Sequence, residues 1–91
     1  MVIVCDAHIP FVVEAVQREW PEVTICPMEP EQMTPATLQD ADVLIVRTRT
    51  RVDASLLENT RMRLVCTATI GFDHIDTAYC ESHCIRWMSC P

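Results

Sequence analysis

The stretch RLVCTATIGFDHID, residues 63–76, decides how the rest of the chain is interpreted. It begins with a strand-forming run, residues 64–67, and ends at Asp76, a residue type that often begins a helix. Between them lies Gly71, the only glycine in the chain. A lone glycine between a strand and a helix predicts a backbone position with positive φ or a close approach to a ligand. We therefore predict strand, turn and helix, with the functional site near the turn.

Strand and helix patterns also alternate on the N-terminal side of this stretch. The run VLIV at residues 43–46 is continuously apolar, as in parallel strands that are buried on both faces. Pro10 fits the first position of a helix that Pro21 ends, and residues 28–33 are predicted as a loop. The predicted strands are residues 2–5, 23–26, 42–46, 64–68 and 85–88, and the predicted helices are residues 10–20, 34–39, 53–59 and 76–83.

This alternation predicts an α/β fold. We expect a flavodoxin-like open parallel sheet of about five strands with flanking helices and right-handed crossovers. At 91 residues the chain fits one small domain, residues 1–91, with no second-domain boundary. The predicted helix caps are Thr34, Asp53 and Asp76.

Composition excludes several classes of protein. No apolar run approaches the roughly 20 residues of a membrane span, and no basic residue precedes the first apolar run, so we predict neither membrane insertion nor a signal peptide. A cytoplasmic protein is the expectation. The formal net charge of −6 argues against binding to nucleic acid, which requires a basic surface.

The basic residues are unevenly distributed. All 7 are arginines. Guanidinium groups match carboxylate and phosphate oxygens in pairs, so a local cluster of arginines in an acidic protein is a candidate site for a small anion. The alternative is that each arginine is a solvated surface charge. The clustered arginines are Arg47, Arg49, Arg51, Arg61 and Arg63.

The cysteines and histidines do not form a recognisable reactive motif. Cys80 and Cys84 share a helix face at i, i+4, near His83 and Cys90, but paired C-x₂-C spacing is absent, so we predict no metal site and no disulfide. The redox state of Cys80, Cys84 and Cys90 is left open. Cysteines within apolar runs are predicted to belong to the core: Cys5, Cys26 and Cys66. Structural or surface roles are predicted for the histidines: His8, His74 and His83.

Polar residues follow three of the predicted strands. In open parallel sheets ligands bind beyond the carboxyl ends of the strands. The ends at residues 6–8, 47–49 and 69–71 would bring threonine hydroxyls, backbone N–H groups and an arginine into one crevice, which predicts an anion-binding pocket. The alternative for Thr48 and Thr69 is that they only satisfy backbone groups at the strand ends.

Three stretches resemble a known family. VIVCDAHIP at residues 2–10, VRTRTRVDASLL at residues 46–57 and RLVCTATIGFDHID resemble the N-terminal part of the D-isomer-specific 2-hydroxyacid dehydrogenases. Residues 67–69, TAT, and residues 73–76, DHID, look like the erythronate-phosphate branch of that family. One departure is Cys84, which stands where the family commonly has a glycine.

The resemblance implies an enzyme, of which this chain is the N-terminal part of the substrate-binding domain. The intact protein would oxidise 4-phospho-D-erythronate to 2-oxo-3-hydroxy-4-phosphobutanoate with NAD, in pyridoxal phosphate (vitamin B6) synthesis, as a homodimer. NAD would be bound by a domain absent from this chain. The family's catalytic arginine, glutamate and histidine and its G-x-G-x-x-G motif lie beyond the point where this chain stops, so no catalytic or cofactor-binding residue is predicted here. The chain alone is predicted to be inactive.

The resemblance also implies contacts with a small phosphorylated sugar acid. Thr48 and Thr69 correspond to residues that contact substrate in the family, and Arg47 and Arg49 add positive charge. The alternative function is a stand-alone flavodoxin-like module that binds a small anion or a protein without catalysis.

Overall fold

A computed structural model describes residues 1–89, which form a 5-stranded parallel sheet with flanking helices. The strand order is β2-β1-β3-β4-β5, and each neighbouring pair is parallel, as the sequence predicted for a flavodoxin-like sheet. The strands are β1 (Val2–Asp6), β2 (Thr24–Met28), β3 (Val43–Val46), β4 (Leu64–Thr67) and β5 (Arg86–Ser89). The helices are α1 (Val12–Glu19), α2 (Pro35–Leu38), α3 (Ala54–Leu57) and α4 (Thr77–Ser82), with a 3₁₀ helix at Pro30–Gln32.

The main core lies on one face of the sheet. Side chains alternate between the faces of a strand, and the row Val4, Leu44, Val65 is fully buried at the centre of the core face. Helices α2, α3 and α4 close this face with Leu38, Leu57 and Cys80. On the opposite face β1 is buried, but β3 and β4 expose part of their apolar side chains and β5 exposes Met88.

Two of the predicted helix caps are confirmed. The Thr34 hydroxyl accepts the Thr37 N–H while the Thr37 side chain accepts the Thr34 N–H, a reciprocal cap at the start of α2. Asp76 Oδ1 accepts the Tyr79 N–H at 3.0 Å and begins α4. Asp53 precedes α3 as predicted, but its carboxylate binds the Ser55 hydroxyl at 2.7 Å in place of a cap bond to the backbone.

The N-terminal boundaries differ from the prediction. Helix α1 begins at Val12 rather than at Pro10, because the chain first makes a turn in which Asp6 accepts the backbone N–H groups of His8 and Ile9. Strand β2 continues through Pro27, which is tolerated because β2 is an edge strand and Pro27 has no ladder bond to donate on its open side. The predicted loop 28–33 contains the 3₁₀ helix.

The positive φ predicted as one alternative for Gly71 is wrong, and the other alternative, a close approach to a ligand, stays a prediction. The φ of Gly71 is not positive, and a Cβ added there would meet nothing within 4 Å, because the loop is open. Cys84, with φ 59, adopts the left-handed backbone conformation just after the end of α4. The Ile85 N–H donates to the Cys80 carbonyl at 2.8 Å, the helix-ending pattern that usually selects glycine. Cys84 is therefore exposed beyond the end of α4 and shares no face with buried Cys80, contrary to the prediction.

The remaining cysteines follow the predicted burial in part. Cys5 is fully buried, and burial, with the Asp6 charge adding to it, raises the pKa of its thiol to about 11. Cys26 and Cys66 are half-buried. Burial also raises the pKa of Cys80, so neither buried thiol is a thiolate at neutral pH. The predictions that concern Cys90, and a domain that extends to Pro91, reach outside the described residues.

The described residues, 1–89, contain neither a metal-binding cluster of side chains nor a helix that could span a membrane. No group of three or more His, Cys, Asp or Glu side chains in that range is arranged to hold a metal ion. Helices in the same range are all too short or too polar to cross a membrane.

Replacing Leu44 with alanine tests the position of the core. Leu44 is 0 % exposed at the centre of the sheet, so Leu44→Ala should lower the free energy of unfolding by about 2–5 kcal/mol. Leu64→Ala, on the half-covered face of β4, should cost clearly less. Urea denaturation followed by circular dichroism measures both, and equal losses would contradict the assignment of the two faces.

Candidate functional site

The carboxyl ends of β1, β3 and β4 lie side by side. Strand order reverses between β1 and β3, and such a switch point is where open parallel sheets bind ligands. A cleft of about 540 Å³ opens there. Its lining residues are His8, Glu29, Pro30, Glu31, Arg47 and Arg49.

A buried ion pair joins β1 to the loop after β3. Asp6 is fully buried, and Arg47 Nε lies 2.9 Å from Asp6 Oδ2. Neither of these two atoms has a hydrogen-bond partner among residues 1–89, so the contact is an ion pair without hydrogen-bond alignment. Asp6 Oδ1 accepts the His8 N–H at 2.8 Å. Nε is the guanidinium nitrogen that faces Asp6, and the Arg47 side chain, which is 30 % exposed, also lines the cleft.

The other charges of the cleft are mixed. His8 Nε2 lies 2.6 Å from Glu29 Oε1 at the rim, and both side chains are about half exposed. Arg49 is exposed and faces the same cleft as Glu31. An anion in the cleft would therefore meet two arginines, Arg47 and Arg49, and two glutamates, Glu29 and Glu31.

Hydroxyl groups form a chain at the end of β4. Thr67 is fully buried, and its Oγ1 lies 2.6 Å from Thr69 Oγ1 and 2.9 Å from His74 Nε2. Thr69 Oγ1 also donates to the Gly71 carbonyl at 2.8 Å. The Thr69 hydroxyl thus satisfies a local backbone group, which was the alternative to a contact with substrate. The same hydroxyl also belongs to a longer hydrogen-bond network.

His74 stands at one end of this network, next to Thr67. Its side chain is half-buried, and burial lowers its pKa from the usual 6.5, opposed by the nearby Asp73 charge. Its carbonyl accepts the Val52 N–H at 2.7 Å, which fixes the backbone beside the core. The sequence predicted a structural or surface role for His74 but did not identify its contact with Thr67.

The predicted substrate contacts lie at adjacent strand ends. Val46 of β3 is level with Thr67 of β4, so Thr48 and Thr69 each follow two residues beyond matched positions. Thr48 is exposed and Thr69 is half-buried. Their contact with substrate stays a prediction.

The arginine cluster is divided by the fold. Arg47 and Arg49 reach the cleft, but Arg61 and Arg63 precede β4 and lie at the opposite, amino edge of the sheet, where Arg61 Nε lies 3.5 Å from Asp42 Oδ1. Arg51 pairs with Asp53 at 3.3 Å. Two of the five arginines therefore line the candidate site.

Comparison with known proteins identifies the family. A family model described as "D-isomer specific 2-hydroxyacid dehydrogenase, catalytic domain" matches residues 2–91. The chain belongs to this family. It is 47% identical over 91 residues to the erythronate-4-phosphate dehydrogenase of Bacteroides fragilis, covering 100% of this chain and 26% of that protein. It is 43% identical to the enzyme of the same name from Porphyromonas gingivalis, covering 100% of this chain and 24% of that protein.

The chain spans about a quarter of the length of these curated relatives. Solved structures of family members agree with the fold. NAD⁺-bound 3-phosphoglycerate dehydrogenase of Entamoeba histolytica superposes with a TM-score of 0.83 at 23% identity, over 100% of this chain and 33% of that one. D-lactate dehydrogenase of Aquifex aeolicus, complexed with NAD and lactic acid, gives 0.77 at 23% identity, over 98% of this chain and 27% of that one.

The Asp6–Arg47 pair predicts an unequal response to removal of its two charges. Arg47→Met leaves a fully buried carboxylate without its counter-charge and should cost about 3–5 kcal/mol of unfolding free energy. Asp6→Asn leaves a guanidinium that reaches water and should cost less. Urea denaturation at neutral pH compares them.

A matched control is Arg49→Met, which removes the same charge from an exposed position and should change stability by no more than about 0.5 kcal/mol. The double variant Asp6→Asn/Arg47→Met should recover part of the Arg47→Met loss, because no unpaired buried charge remains. An Arg47→Met protein as stable as Arg49→Met would contradict the buried pair.

The lowered pKa of His74 predicts a pH dependence of stability. The unfolded chain takes up the proton first, near pH 6.5, so the stability associated with neutral His74 is complete above that pH and is lost as pH falls towards the folded-state pKa. Between about pH 7.5 and 5.5 the wild-type chain should lose more unfolding free energy than His74→Gln.

Two carboxyl groups whose pKa is lowered in the folded chain do not titrate in this pH range. The Val2 N–H holds the pKa of Asp42 below its usual 3.8, and the Ser55 hydroxyl does the same for Asp53. Both therefore titrate only at lower pH. Equal pH dependence of wild type and His74→Gln would show that His74 ionises equally in the folded and unfolded chains.

Proposed function

We propose that this chain is the substrate-side part of an NAD-dependent oxidoreductase that acts on 4-phospho-D-erythronate. The proposal is supported by the position of Arg47 and Thr48 after β3 and of Thr69 after the adjacent β4, at the same edge of the sheet, in a chain 47% identical to an erythronate-4-phosphate dehydrogenase. The ligand has a phosphate, a carboxylate and hydroxyl groups, and the site offers guanidinium and hydroxyl groups in the same region.

The charged and neutral groups have separate tasks in this proposal. Arg49 and the outward nitrogens of Arg47 hold an anionic end of the substrate, because an arginine matches carboxylate or phosphate oxygens in pairs. Thr48 and Thr69 bind its hydroxyl or carboxylate oxygens. Asp6 keeps Arg47 at the edge of the cleft.

These residues bind and orient the substrate and do not hold the cofactor. A nucleotide-binding turn requires several glycines for close backbone approach, whereas Gly71 is the one glycine here and its surroundings are open. NAD, which would accept the hydride, is proposed to bind to a further domain of the intact enzyme. The place of that enzyme in vitamin B6 synthesis, its cytoplasmic location and its homodimeric state belong to the same proposal.

Titration of the chain with 4-phosphoerythronate, followed by two-dimensional NMR, tests the proposal. We expect shifts at Thr48, Thr69, Arg47 and Arg49. Arg49→Met should weaken binding about 10-fold, the value of one charge-assisted hydrogen bond. Arg63→Met removes an exposed arginine from the opposite edge of the sheet and should leave the affinity unchanged.

Two further ligands separate this function from general anion binding. Erythronate without the phosphate should bind more weakly, and inorganic phosphate should shift the arginines but not Thr69. Equal binding of all three ligands, or no binding to wild type, would contradict the proposal and favour a small-anion or protein-binding module. Addition of NAD to the chain and its ligand should give no NADH absorbance, because hydride transfer needs the cofactor's own site.

A further inference from the structure

The hydroxyl chain at the end of β4 has a definite direction. Thr69 has one hydroxyl proton, and its Oγ1 donates that proton to the Gly71 carbonyl, which only accepts. The contact of 2.6 Å between the two threonine hydroxyls must then use the Thr67 proton. Thr67 Oγ1 has no second proton, so at 2.9 Å it accepts from His74 Nε2–H. Donation therefore runs from His74 through Thr67 to Thr69 and the Gly71 carbonyl.

The direction depends on the tautomer of His74. If the neutral ring carried its proton on Nδ1, Nε2 would accept from Thr67, and Thr67 would accept from Thr69. The Thr69 proton would then leave the Gly71 carbonyl, and one of the observed bonds would be lost. The arrangement that satisfies all three contacts has the proton on Nε2.

Thr67 makes the connection rigid. It is 0 % exposed, so water does not replace a hydrogen bond that its hydroxyl loses. His74 in turn is held by its backbone bond to Val52. A change in His74 is thus transmitted to Thr69 through one buried oxygen.

We propose that His74 is a positioning residue that fixes the Thr69 hydroxyl, through Thr67, as a hydrogen-bond acceptor towards the substrate. Thr69 gives its proton to Gly71 and accepts one from Thr67, which leaves it one lone pair. The site therefore favours a ligand group that donates, such as the alcohol of a hydroxy acid, over the carbonyl of the corresponding oxo acid. This inference rests on the proposed function, in which Thr69 contacts the substrate.

The first test needs no ligand. Long-range ¹H–¹⁵N NMR of the chain at about pH 7.5 reports which nitrogen of neutral His74 carries the proton. We expect Nε2–H with Nδ1 deprotonated. A dominant Nδ1–H tautomer would overturn the direction of the chain and with it the proposal.

The second test uses paired variants and 4-phosphoerythronate. His74→Gln keeps an N–H donor near the place of Nε2 and should bind the ligand within about 2-fold of wild type. His74→Leu has no donor and should bind it about 2- to 10-fold more weakly, the equivalent of one hydrogen bond. If both variants bind equally well, or equally badly, the donor is not what matters and the proposal fails.

A double-variant cycle separates positioning from a general structural effect. In a Thr67→Val background the connection is already broken, so His74→Leu should cause no further loss of affinity. Additive losses would overturn transmission through Thr67. Thr67→Ser retains the hydroxyl and should preserve the difference between His74→Gln and His74→Leu, which provides a second readout if Thr67→Val does not fold.

The outcomes also distinguish this inference from the proposed function. Lack of binding by the wild-type chain would refute the proposed function and, with it, the role of Thr69 towards substrate, while the tautomer measurement would still decide the direction of donation. Wild-type binding with an Nδ1–H tautomer would support the proposed function and overturn only the role of His74.

Discussion

Parallel pairing of β3 with β4 is the constraint on which the arrangement of the site depends. Val46 is level with Thr67, and the next amide, Ala68 N–H, donates to the Val46 carbonyl at 2.9 Å. The two strands therefore end at the same level of the sheet, and Thr48 and Thr69 each lie two residues beyond the paired positions. A shift of one residue in this register would turn the side chains of one strand to the other face and separate the two threonines.

The buried ion pair at the neighbouring strand end serves geometry more than net stability. Desolvation of a buried charge pair costs about as much as the attraction returns, so apolar side chains of equal volume would often be as stable. Asp6 is nevertheless fully buried, and the carboxylate form of a buried aspartate needs a counter-charge. That requirement holds Arg47 at the switch point of the sheet, where its side chain lines the cleft. The same buried carboxylate also holds the turn at His8, which forms the rim.

The sequence predicted the sheet well because continuous apolar runs and regular alternation are local signals, whereas much of the site depends on contacts that no local pattern contains. The division of the arginine cluster could have been predicted, because residues before a parallel strand and residues after it lie at opposite edges of the sheet, as Arg63 and Arg47 do.

The prediction of positive φ at Gly71 failed because a glycine permits positive φ without requiring it. Cys84 has the positive φ instead, in a residue type that gives no such signal. The contact between His74 and Thr67 depends on how the loop folds back over the strand end.

The contact between His74 and Thr67 explains why a neutral histidine suits this position. A hydroxyl group rotates freely and accepts or donates as its neighbours require, so a chain of two hydroxyls has no direction of its own. The Gly71 carbonyl fixes one end as an acceptor, and the other end then needs a donor. A lysine would supply one but would place a strongly hydrated charge beside buried Thr67. Burial lowers the pKa of His74, so in the proposed arrangement the ring donates from Nε2 without a charge, and recognition of the anion is assigned to Arg47 and Arg49.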